Sequence, residues 1–202
     1  WNIKHNMIHH TFTNVDGHDD DIMAEPLLRM SPQQKKRAIH RFQHLYFVVL
    51  YAFMYAGWIF FLDFKKYFAK QIAAKENIRF PLRAHVGFWT TKVIYVFLFI
   101  YLPLQFMPWT TWLTGYLTWV CTTGLIISVV FQLAHVTEQT DFVEAVEGQL
   151  ENDWAVHQVK TTANFGSTSL LLSFLTGGLN QQVEHHLFPK ISHIHYPMLS
   201  PI

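Results

Sequence analysis

Apolar residues gather into three long blocks, residues 45–62, roughly 88–106 and 113–134, separated by polar or charged links. A helix needs about 20 mostly apolar residues to cross a bilayer, so the third block is the clearest spanning segment. A fourth apolar run, Ser169 to Leu175, is too brief to cross and is closed by Gly177 and Gly178. The links have their own patterns. Residues 11–22 are rich in Thr, Asn, Asp and Gly, a turn-forming mixture. Residues 138–153 repeat acidic positions at Glu138, Asp141, Glu144, Glu147 and Glu151, which predicts an amphipathic helix with Phe142, Val143, Val146 and Leu150 turned inward. The expected class is all-α, an integral membrane protein with a transmembrane helical hairpin, interfacial helices and a cytosolic histidine-rich cap.

Composition supports a membrane protein: half the residues are hydrophobic and 14% charged, against about 25% charged in soluble domains. A formal net charge of +1 gives no reason to invoke nucleic acid. The single cysteine, Cys121, sits in an apolar run, which excludes a disulfide framework or a cysteine-based zinc site within these residues.

Thirteen histidines are the unusual chemistry. Near the start stand His5, His9 and His10; near the end stand Gln182, His185 and His186. On a helix, residues four apart share a face and adjacent residues lie about 100° apart, so each cluster presents two or three metal-capable groups together. Neutral imidazole binds zinc, copper, iron and nickel alike. Two such clusters read as halves of one site. Carboxylate-based diiron chemistry would need Glu-x-x-His repeats, and none occurs.

One site constrains the topology, because both clusters must face the same side and an even number of crossings must separate them. Lys65, Lys66, Lys70, Lys75, Arg79, Arg83 and Lys92 between the first two blocks favour the cytoplasm. The uncharged link between the second and third carries Pro108, Trp109 and Trp112, as a tight turn at the far interface would. The second and third blocks are therefore the expected hairpin. Residues 45–62 are expected to lie in the cytoplasmic interface or to dip in and return. The third block then delivers His135 to the face where the clusters already sit.

His5-Asn6-Met7-Ile8-His9-His10 and Gln182-Val183-Glu184-His185-His186 resemble the second and third histidine boxes of the membrane fatty acid desaturases. The leading glutamine and the following Leu187-Phe188-Pro189 resemble the acyl-lipid, front-end (linoleoyl-CoA desaturase-like) branch. The likeness runs over nearly the whole chain, 1–202. That family has an earlier histidine box after a first transmembrane pair. Neither is present here, so the chain reads as the C-terminal portion of such a domain, inactive by itself.

The resemblance implies a non-haem centre of two iron ions that activates dioxygen and removes two hydrogens from adjacent acyl carbons. It implies His5, His9, His10, His135, His185 and His186 as metal ligands, with Gln182, His157 and Asn164 as ligands or as groups that hold ligands or a bound water. It implies a fatty acyl substrate, carried as acyl-CoA, acyl-carrier or acyl-lipid, and an external donor, ferredoxin or cytochrome b5. Such donors are commonly acidic, so docking is expected at Arg29, Lys35, Lys36 and Arg37. A related hydroxylase or carotenoid oxygenase shares the first hydrogen abstraction and stays open. A membrane metal-binding or transport protein would want ionisable groups facing each other within the spans, yet no carboxylate or histidine lies between Val93 and Ala134. A structural zinc site is the remaining alternative.

Overall fold

The computed structural model describes residues 2–73, 75–145 and 149–200. Its regular elements are all helical among those residues, apart from isolated bridges such as that between Val15 and Val143. A short π-helix, Ile3–His9, opens the chain. Helices α1 (Ala38–Ala69), α2 (Leu82–Leu104) and α3 (Trp109–His135) follow, and each is long and apolar enough to cross a membrane. The smaller helices α4 (Trp154–Thr161), α5 (Leu170–Leu175), α6 (Gln182–Leu187) and α7 (Tyr196–Leu199) complete the chain.

Sequence signals explain where the long helices begin and end. Pro81 caps α2 in an extended conformation, where its missing N–H costs nothing. Lys70 takes a left-handed conformation, with φ 53°, and stops α1. Helix α1 departs from expectation. The helix extends to both sides of residues 45–62 and continues unbroken through a π-turn at Trp58–Leu62, 32 residues in all. A segment that dips in and returns would need a break, and there is none. By length and composition α1 qualifies as a span as well as α2 and α3 do.

The second correction concerns the acidic stretch. Residues 138–145 and 149–153 are turns and extended backbone instead of an amphipathic helix. Val146 and Glu147 lie outside the described residues. The Asp141 N–H donates to the Lys160 carbonyl and that of Val143 to the Asn14 carbonyl. These tertiary bonds satisfy backbone that a helix would have satisfied internally.

The chain forms two compact units. One comprises residues 1–48, 72–74 and 127–202, and holds both histidine clusters together with the start of α1 and the end of α3. The other, residues 49–71 and 75–126, holds most of the three long helices. There Gly124 of α3 faces the backbone of α1. A Cβ at that position would lie 2.3 Å from the Ala52 carbonyl oxygen, so only glycine permits this approach. Aromatic pairs Phe64–Phe88 and Phe60–Tyr95 join α1 to α2, and Lys92 of α2 reaches Asp63 of α1 at 2.6 Å.

Candidate metal centre

The N-terminal cluster is carried on a π-helix, whose i→i+5 bonding includes His10 N–H to the His5 carbonyl at 3.1 Å. A wider turn brings residues four apart closer to alignment than an α-helix does. The His5 and His9 rings accordingly stack at 5.2 Å with 15° between planes. Helix α6 carries His185 and His186, and α3 ends at His135.

These six imidazoles converge. Ring nitrogens of His5, His10 and His185 lie within 4.8 Å of one another, and so do those of His9, His135 and His186. The two triads adjoin through His10 and His186, whose rings stack at 4.2 Å. All six residues are buried.

Outer partners orient the rings. The His9 Nδ1 faces the Asp19 carboxylate at 3.0 Å, that of His186 faces the Gln158 Oε1 at 2.8 Å, and that of His185 faces the Tyr196 hydroxyl at 3.4 Å. A proton held at Nδ1 leaves Nε2 as the donor atom, the arrangement that metal-binding histidines use. The Nε2 atoms of His9 and His186 and both ring nitrogens of His10 are buried with no protein hydrogen-bond partner among the described residues. Buried polar atoms left unmatched are costly, and several converging at one place fit a bound cation.

Electrostatics point the same way. Burial, reinforced by neighbouring imidazoles, lowers His5 to about 3, His185 to about 3 and His10 to about 4, and puts His186 well below the ordinary value of 6.5. These rings are neutral at pH 7, as ligation requires. His9 runs opposite. Burial disfavours its charged form, but the Asp19 and Asp21 carboxylates outweigh burial and raise it. Asp21 pairs with Lys4 and approaches His9 on the Nδ1 side, at 3.4 Å. Although His5, His9 and Asp21 also lie close enough to form a ligand set, Asp19 already occupies that edge of His9. The Lys4–Asp21 pair is therefore better read as a buried ion pair behind the ring.

The remaining expected residues stand outside the two triads. Asn164 uses its amide on both Glu184 oxygens, at 2.8 and 3.1 Å, and accepts from the Val183 N–H at 3.0 Å. It fastens the start of α6. Gln182 donates to the Leu179 carbonyl. His157 is buried beside Thr13 and Asp19. Of the expected basic face, Lys35, Lys36 and Arg37 are exposed, while Arg29 is turned onto the carbonyls of Pro32 and Gln34.

Three residues outside the set predicted from sequence carry the architecture. Asn14, fully buried and at φ 57°, donates to the carbonyl of His135 at 2.6 Å, with those of Asp141 and Thr161 at 3.2 and 3.3 Å. Asp19 supports His9, and Gln158 supports His186. A left-handed asparagine is a recognisable turn signal, but nothing in residue type alone marks it as buried.

A family model described as Fatty acid desaturase matches residues 1–202. The chain is 37% identical over its whole length to an sn-1 linoleoyl-lipid 6-desaturase of Synechocystis sp., covering 57% of that protein. It is 35% identical to a protein of the same description from Arthrospira platensis, covering 55% of it. It is also 35% identical to an acyl-lipid (8-3)-desaturase of Physcomitrium patens, covering 43%. The chain thus spans about half the length of these curated relatives. No solved structure matches.

Proposed function

The chain belongs to the fatty acid desaturase family, and from that premise we propose that it forms the C-terminal part of an oxygen-dependent acyl-lipid desaturase acting at a histidine-held diiron centre. One observation carries the reading: two buried triads of imidazoles, drawn from both ends of the chain, stand side by side. His5, His10 and His185 would hold one iron, and His9, His135 and His186 the other. When bound, two irons would activate dioxygen, with electrons from the external donor, to take hydrogen from an unactivated carbon. The chain's own residues orient the ring nitrogens, keep His5, His10, His185 and His186 neutral through burial, and exclude water from around them. The relatives' names point to a lipid-linked acyl chain as substrate.

Topology follows from the same site. The start of α1 and the end of α3 belong to one unit, which supports a reading with an even number of crossings between them. We assign the crossings to α2 and α3 and place α1 along the cytoplasmic interface. Electrons would come from an acidic donor such as ferredoxin or cytochrome b5, docking at Lys35, Lys36 and Arg37. A Lys75→Cys variant labelled from the same side as a Lys36→Cys variant supports this placement of α1, and labelling from the opposite side overturns it.

The decisive experiment expresses the full-length protein in a host fed defined fatty acids and locates new double bonds by mass spectrometry. Products are expected, and His185→Ala should abolish them. Hydroxylated products in place of alkenes would favour the related hydroxylase reading, and zinc in place of iron in the purified protein would favour a structural site.

A further inference from the structure

Gln158 joins three stretches of chain that lie far apart in sequence. It is fully buried on α4. Its Oε1 lies 2.8 Å from His186 Nδ1 on α6 and 3.0 Å from the Thr13 hydroxyl, whose single proton is shared between that oxygen and the His9 carbonyl, 2.6 Å away at the end of the π-helix. Its backbone is held as well, because the Thr162 hydroxyl donates to the Gln158 carbonyl at 2.6 Å.

The chemistry of the contact is directional. A neutral imidazole has one N–H and one lone pair. An amide oxygen facing Nδ1 can only accept, so the proton sits there and the Nε2 lone pair stays available. His186 Nε2 is buried with no protein partner among the described residues. Its ring is the common neighbour of the site, with centroids 4.2 Å from His10, 4.9 Å from His135 and 5.0 Å from His9. An error in its tautomer would reach both triads.

We propose that Gln158 is a positioning residue for the metal centre: its amide oxygen fixes the tautomer of His186 and, through Thr13, the spacing between α6 and the π-helix. The proposal rests on the metal-centre reading above. Losing such an outer partner typically lowers metal affinity about 10–100-fold.

The test uses the full-length protein in detergent, with iron counted by mass spectrometry and the centre followed by Mössbauer spectroscopy and redox titration. Gln158→Leu keeps most of the volume and removes the acceptor. It should stay monodisperse and bind iron about 10–100-fold more weakly. Gln158→Glu keeps an acceptor and makes it anionic. It should retain iron, alter the Mössbauer parameters and move the reduction potential in the negative direction, because the imidazole becomes more electron-rich. The Glu variant carries the test if the Leu variant does not fold, since a purely structural glutamine would leave its spectrum and potential unchanged. A wild-type protein with two irons whose content, spectrum and potential are indifferent to both substitutions overturns this inference alone. A wild-type protein holding zinc, or no metal, overturns the proposed function and the inference with it.

Discussion

The two compact units solve opposite burial problems. In the histidine unit the interior is built from His9, His157, His186, Asn14, Gln158, Thr13 and Asp19, all nearly inaccessible, and its apolar contribution comes from a few residues such as Val15, Ile22 and Tyr196. In the other unit the long helices turn Phe53, Phe61, Val93 and Phe97 outward. In water such faces would aggregate; in a bilayer they meet lipid. Hydrogen bonds and convergent imidazoles therefore specify the first unit, and shape and small residues specify the second. Substitutions should separate the two accordingly.

Ligand removal should have the largest effect. His186→Ala in the full-length protein is expected to eliminate desaturation, with product falling at least about 100-fold given what even outer-partner losses cost. Iron measured per folded chain should fall with it. Retained iron and product would remove His186 from the centre.

Acid should come next. His5, His10 and His185 are held at about 3, 4 and 3 in the folded chain, against 6.5 when exposed. Between those values the unfolded chain binds more protons, so stability is present above about pH 6.5 and is lost as pH falls toward 4. The loss is at most about 1.4 kcal/mol per ring for each pH unit crossed, and less wherever solvent screens the ring. His9, raised by its carboxylates, contributes in the opposite sense: its share is present below 6.5 and lost as pH rises through its folded value. The metal-free protein should therefore melt at lower temperature as pH drops from 6.5 to 4. His10→Gln should flatten that slope, and a slope unchanged by it would mean that His10 is not buried as described.

In the apolar unit the corresponding test is Gly124→Leu. With 2.3 Å between a Cβ and the Ala52 carbonyl oxygen, α1 and α3 must separate, at a cost of about 1–3 kcal/mol or more. Melting in detergent should drop while iron per folded chain stays near wild type. The smallest effect belongs to an outward side chain: Phe61→Ala should change stability by no more than about 0.5 kcal/mol. A larger loss would show that Phe61 packs against protein instead of lipid.

The same contrast explains what is legible in the sequence. The two histidine clusters name five members of the triads, the end of the third apolar block together with the family resemblance names His135, and a long apolar block announces its helix. Burial of ordinary polar residues leaves no such mark. Asp19 stands in a run of acids that suits a solvated loop, and although Asn14 and the Gly17-His18-Asp19 stretch resemble the supporting segment after the family's second histidine box, the resemblance does not say which group each would hold. Gln158 sits on a short helix beside His157, whose imidazole is the more obvious ligand. The acidic repeat from Glu138 onward has a helical period, but its backbone bonds to Asn14 and Lys160, and no periodicity reports a tertiary partner. Asn164 belongs to the site region, as its sequence setting suggests, yet whether an amide points at a metal or at Glu184 depends on a rotamer. Helix α1 outruns its apolar block because Asp63 and the lysines after it interrupt hydropathy without interrupting the helix.

The distance along the chain between the parts of the site bears on biogenesis. Thr13 and His186 approach across 173 residues, with three long apolar helices emerging from the ribosome between them. The cluster of six imidazoles can close only after those helices and α6 have been synthesised. A nascent chain stalled before α6 therefore holds His5, His9 and His10 without His185 and His186 beside them.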